Sequence, residues 1–98
     1  MSVKLFVGSL PLSYDDKNLK NIFKNYGTVL SAKVATDSHT GNSRGFGYVE
    51  MKTSADARNA KKALNGLQLQ GRYILVDEAH LSVWPAAFVK YSLKINVN

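Results

Sequence analysis

The stretch Arg44-Gly45-Phe46-Gly47-Tyr48-Val49-Glu50-Met51 decides how the other 90 of the 98 residues are organised. At the two-residue period of a strand, Arg44, Phe46, Tyr48 and Glu50 fall on one face and Gly45, Gly47, Val49 and Met51 on the other. A strand packed on a core sends its large apolar side chains inward and its polar ones to solvent. Here two aromatic rings share a face with a guanidinium and a carboxylate, so the rings stand where solvent is expected. Gly45 and Gly47 weaken the ladder and pack against nothing, which points to a close approach to the backbone. Flat rings beside a cation suit a partner built of planar rings and phosphates. The competing reading is an edge strand with stray aromatics, or rings that another element covers.

On the N-terminal side, Lys4-Leu5-Phe6-Val7-Gly8 alternates in the same way, with Leu5 and Val7 on one face and Phe6 beside Lys4 on the other. A loop, Ser9-Leu10-Pro11-Leu12, leads to Asp15, which is placed to cap a helix whose apolar residues Leu19, Ile22, Phe23 and Tyr26 recur at helical spacing. Tyr14 can staple onto Leu19, and Gly27 is the stop. Val29 to Thr36 reads as a second strand with Ala32 and Val34 inward, Lys33 outward and an irregularity near Leu30. The turn residues from Asp37 to Ser43 predict a mobile hairpin loop into the aromatic strand.

Beyond Met51, Thr53-Ser54-Ala55-Asp56 has the form of a capping box, and Ala57, Ala60, Ala63 and Leu64 make a small-residue stripe that lets a second helix lie close to a sheet. Asn65-Gly66 ends it. Residues 68–71 form a turn, and Arg72 to Ala79 is a fourth strand with Ile74 and Val76 inward. The order strand, helix, strand, strand, helix, strand predicts an α+β, ferredoxin-like split βαβ domain (βαββαβ) over residues 1–80, in which two helices cover one face of a four-stranded antiparallel sheet. Right-handed crossovers make the first and third strands central neighbours, which gathers Phe6, Phe46 and Tyr48 on the uncovered face.

These residues resemble the RNA recognition motif family. Leu5-Phe6-Val7-Gly8-Ser9-Leu10 is similar to its hexamer motif and Arg44 to Met51 to its octamer, in the strands and at the spacing that family uses, over about residues 3 to 80. The octamer's ending, Val-Glu-Met, is similar to that of short single-domain bacterial and cyanobacterial members. The resemblance implies that Phe6 and Tyr48 stack two successive bases, that Phe46 lies against the sugars between them and that Arg44 pairs with backbone phosphate. Lys4 and Lys33 on the same face would add phosphate contacts, and Asp77, Glu78 and Ala79 match positions that present groups to base edges. Two departures stand out: Ser9 occupies a hexamer position that is usually asparagine, and Met51 one where an aromatic is common.

The remaining composition narrows the function classes. Thirteen Lys and Arg against seven Asp and Glu give a formal charge of +6 and a pI near 9.7, which favours a polyanionic partner. The absence of cysteine removes disulfides, thiolate metal sites and cysteine nucleophiles, while His39 and His80 make no metal-ligand pattern. No cofactor is expected. No apolar run is long enough to span a membrane and the N-terminus lacks the sections of a signal peptide, so a soluble, cytoplasmic protein is expected. From Leu81 to Asn98 the chain is apolar and then alternates through Val89, Tyr91, Leu93, Ile95 and Val97, which predicts a fifth strand at the sheet edge, with a tail-mediated homodimer as the alternative to a monomer. The leading functional expectation is a non-catalytic module for single-stranded RNA, with single-stranded DNA as a further ligand and post-transcriptional regulation or RNA chaperoning as the setting. A protein-interaction module on the same fold is the runner-up. An enzyme is disfavoured, because no activated nucleophile, carboxylate pair or anion loop falls together.

Overall fold

The computed structural model describes residues 1–79, so the expected fifth strand over 81–98 lies outside the described residues. The elements are β1 (Val3–Gly8), α1 (Asp16–Phe23) with a 3-10 turn at Lys24–Tyr26, β2 (Val29–Thr36), β3 (Ser43–Met51), α2 (Ser54–Leu64), β4 (Gln68–Leu69), β5 (Arg72–Tyr73) and β6 (Leu75–Ala79). The four-stranded sheet runs β2-β3-β1-β6 with every pair antiparallel, so β1 and β3 are the central neighbours that the crossover rule requires. Both helices pack on one face. There Leu5, Val7, Val49, Met51 and Val76 meet Leu19 and Phe23 of α1 and Ala57, Ala60 and Leu64 of α2, all at most 2% exposed.

The helix ends show how local chemistry sets the layers. Asp15 accepts from the Asn18 amide at 2.8 Å, and Asn18 returns the bond to the Asp15 amide at 3.1 Å, a complete capping box worth about 1 kcal/mol. Thr53 caps α2 by accepting from the Asp56 amide at 3.1 Å. The expected return bond is replaced, because the Asp56 carboxylate takes the Thr28 amide at 3.2 Å. A side chain at Gly27 would run into Asp56, so the glycine that ends the first helical segment also lets it meet the start of the second.

Gly45 and Gly47 have two different internal reasons. A Cβ on Gly47 would lie 2.5 Å from the Lys33 carbonyl oxygen and 3.0 Å from Leu19 Cδ2, so the close approach comes from β2 and α1 rather than from a ligand. Gly45 adopts φ +81, at a point where the register passes from Val34↔Gly47 to Thr36↔Ser43 and β3 carries two residues more than β2. This kink turns the Gly45 carbonyl toward the Leu10 amide, 2.8 Å away, and pins the loop after β1 to β3. A second irregularity, between Val29 and Ser31, falls where Leu30 predicted it and leaves Leu30 exposed.

The strand expected over 72–79 is broken. Arg72–Tyr73 pairs with Gln68–Leu69 in a separate ribbon, closed by Gln70 and Gly71 at φ +50 and +82, the signs a type I′ turn needs. Ile74 donates to Leu67 and accepts from Gly66, so its backbone belongs to the connection after α2. Only from Leu75 does the chain pair with β1.

Among the described residues, one outward-pointing amide of β2 and two of β6 are answered by side chains. On β2 the Val34 amide donates to Asp16 Oδ1 at 2.7 Å, and on β6 the Val76 amide donates to Asn65 Oδ1 at 2.9 Å and the Glu78 amide to Asp77 Oδ1 at 2.8 Å. These bonds occupy donors that an added strand would need.

Candidate nucleic-acid interface

Strand register assembles the aromatic cluster. Phe6 lies opposite Tyr48 on one side and opposite Asp77 on the other, which brings rings from sequence positions 42 residues apart onto neighbouring strands. The ring centroids of Phe6 and Phe46 are 5.8 Å apart and stacked at 30°, Phe6 and Tyr48 are 6.3 Å apart, and Phe46 and Tyr48 meet edge to face at 6.0 Å. The Arg44 guanidinium carbon stands 5.6 Å from the Phe46 centroid, within cation–π range. All three rings are half-buried, on the face opposite the helices. Partial burial raises the Tyr48 pKa, with the Arg44 charge pulling the other way, so the phenol stays uncharged as a stacking surface through neutral pH.

The expected cations lie at different distances from this cluster. Lys4 follows the parity of Phe6 and faces Glu50 and Ala79 in register. Lys33 faces Tyr48 in register, yet its ammonium reaches round the β2 edge to Asp16, 3.6 Å away. With the side chains 74% and 50% exposed, that pair contributes ~0–1 kcal/mol and exchanges readily for a stronger anion.

The three β6 positions separate. Asp77 shares the open face with Phe6, and its Oδ1 accepts from Lys61 Nζ of α2 at 3.2 Å. Glu78 has the opposite parity and sits with Arg58, Lys61, Lys62 and Asn65 in a shallow depression on the helix side, so its side chain does not join the aromatic face. Ala79 is 4% exposed, which leaves its backbone as the only group it could present. Lys61 is the contact that sequence patterns missed: it lies on a helix, and only the sheet edge brings it to Asp77.

The connection between β2 and β3 is a turn, as its composition predicted, and it is held by hydrogen bonds of its own. Asp37 Oδ1 accepts from the His39 and Thr40 amides at 2.8 and 3.0 Å, and the Asp37 backbone bonds Asn42 and Gly41. Those two amides, with a smaller contribution from Arg44, hold the Asp37 carboxyl below its ordinary pKa. This loop and the first turn of α1 flank an open depression that includes Tyr14, Lys17, Lys33 and Asn42. Ser9, exposed at the end of β1, adopts φ +58. Asparagine tolerates that left-handed conformation better than serine, which gives the hexamer departure a physical meaning.

Among the described residues no group of three His, Asp or Glu side chains could hold a metal ion, and no helix is long and apolar enough to cross a membrane.

Two helices on one face of a β2-β3-β1-β6 sheet, with three rings and an arginine on the other, define the class of split βαβ domains with an aromatic open face. The chain belongs to the RNA recognition motif family, whose model matches residues 5–75. It is 46% identical over 76 residues to the glycine-rich RNA-binding protein blt801 of Hordeum vulgare, covering 78% of this chain and 47% of that protein. It is 47% identical over 79 residues to the mitochondrial glycine-rich RNA-binding protein 4 of Arabidopsis thaliana, covering 81% and 58%. The chain thus spans about half the length of these relatives. The crystal structure of RNA Binding Protein PG1 superposes with a TM-score of 0.76 at 43% identity, over 79% of this chain and 93% of that one. A mitochondrial relative means that family membership does not carry the expected cytoplasmic placement with it.

Proposed function

We propose that this chain binds single-stranded RNA, without catalysis, on the open face of its sheet, in the service of post-transcriptional regulation or RNA chaperoning. The observation that carries this reading is the cluster of Phe6, Phe46 and Tyr48, each within about 6 Å of the others and backed by Arg44. A base offers a flat π face whatever its identity, and stacking on an aromatic contributes about 1–3 kcal/mol per base. Phe6 and Tyr48 take two successive bases, Phe46 the sugar between them, and Arg44, Lys4 and Lys33 the phosphates. Asp77, the register partner of Phe6, and the backbone of Ala79, the register partner of Lys4, offer polar groups to base edges on this reading. The three outward amides already occupied by Asp16, Asn65 and Asp77 disfavour strand addition and support a monomer as the working unit.

The test is fluorescence anisotropy with a labelled random single-stranded RNA pool and a matched DNA competitor, comparing wild type with Phe6→Ala/Tyr48→Ala after confirming that both are folded. A large loss in the variant is expected, with a wild-type salt slope of about −2 for three phosphate contacts when the RNA is too short to leave the sheet. Equal binding by the two proteins refutes the aromatic-face reading and brings the protein-interaction module forward.

A further inference from the structure

We infer that the path of a bound RNA strand continues past β6 and over its edge onto α2, where Arg58, Lys61 and Lys62 receive its phosphates. The inference rests on the open-face reading above and extends it to a second surface.

Arg58, Lys61 and Lys62 are spaced i, i+3, i+4 and therefore share one stripe of α2. With Asn65 and Glu78 they line a single shallow depression on the helix side of β6. Asn65 already commits its Oδ1 to the Val76 amide, which fixes the orientation of the side chain and leaves an amide nitrogen that can only donate. The connection between this depression and the aromatic face is Lys61. Its Nζ lies 3.2 Å from Asp77 Oδ1, and Asp77 is the register partner of Phe6. One cation thus belongs to the α2 stripe and also reaches a residue of the open face.

The distance suits a single strand. Crossing from β1 to β6 takes about 4.8 Å and descending to the helix layer about 10 Å, a span of a few nucleotides. The depression beyond β2 is different in charge: it brings Asp15 and Asp16 beside Lys17 and Lys33, so its cations are matched by carboxylates. Among the described residues Glu78 is the one carboxylate lining the α2 depression, so it opposes phosphate there and limits the affinity of the path.

The experiment compares two labelled RNAs, one of about four nucleotides that fits the sheet alone and one of about ten that can also round the edge. The proteins are wild type, Arg58→Gln/Lys62→Gln, Glu78→Gln and Phe6→Ala/Tyr48→Ala. Lys61 is kept so that Asp77 retains its partner. For the long RNA, two lost phosphate contacts flatten the salt slope by about 1.4, so between about 50 and 200 mM salt wild-type affinity falls about sevenfold more than that of Arg58→Gln/Lys62→Gln. The short RNA binds both equally, and Glu78→Gln tightens the long RNA only. Equal slopes on the long RNA overturn the path. An equal loss on both RNAs also overturns it, because the cations then act as undirected attraction. Failure of Phe6→Ala/Tyr48→Ala to weaken the short RNA refutes the open-face reading instead, independently of the slopes.

Discussion

The two faces of the sheet are made from the same strands and differ by one residue of parity, yet they carry apolar bulk for different ends. On the helix side, Leu5, Val7, Val49 and Met51 are fully buried against α1 and α2. On the other side, Phe6, Phe46 and Tyr48 are half-buried, beside Arg44 and Lys4. Bulk on the covered face lowers the free energy of the fold, while bulk on the open face, in the function proposed above, serves a partner. Stability and binding should therefore be separable by substitutions one residue apart in the same strand.

The largest effect is expected on the covered side. Phe23→Ala removes a fully buried ring of α1 and should cost about 3–5 kcal/mol in urea denaturation, enough to unfold much of a marginal domain. If it cost less than about 1 kcal/mol, α1 would not be packed against the sheet as described. Tyr48→Ala should weaken RNA binding by about 1–3 kcal/mol while shifting the denaturation midpoint far less than Phe23→Ala does. A midpoint shift as large as that of Phe23→Ala would erase the distinction between the faces.

Smaller effects sharpen the contrast at the sheet's ends. Ser9→Asn places at φ +58 a residue better suited to it and should raise stability by about 0.5 kcal/mol with RNA affinity unchanged. Lower stability would show that the serine side chain has a role of its own there. The smallest effect concerns acid. Asp37 has a depressed pKa in the folded chain, so its support of the loop is present above the ordinary carboxylate pKa of about 3.9 and is lost as pH falls through the lower folded value. The protection of the His39 and Thr40 amides relative to their intrinsic exchange rates should fall over that window, and Asp37→Asn should remove this change in protection. An unchanged acid response in that variant would assign it to another group.

Much of this arrangement was legible in the sequence because its signals are local. Alternation around Phe6 and around Phe46 and Tyr48, the Asp15 cap and the alanine stripe of α2 each act over a few residues, and the crossover rule does the rest. The break at Ile74 was invisible for a related reason: Ile74 and Val76 stay inward while Tyr73 and Leu75 stay outward, so the alternation runs straight through a change of hydrogen-bond partner. Gly47 was legible as a close approach, but its neighbour, the Lys33 backbone, emerges only when β2 is laid beside β3. Glu78 follows the parity of its register partner Leu5 to the helix side, which the carry-over from the family motif overlooked. Lys61 needed the edge itself: its side chain leaves the helix layer and reaches round the outer strand to Asp77, a contact that strand parity does not give.

The Asp16, Asn65 and Asp77 bonds to outward strand amides also bear on crowding. Domains recruited side by side along one RNA would hold their outer strands at high local concentration, the condition under which sheets join edge to edge. A donor already occupied within its own domain must first be released before it can template a neighbour. Many copies could therefore share a transcript and separate again when it is withdrawn.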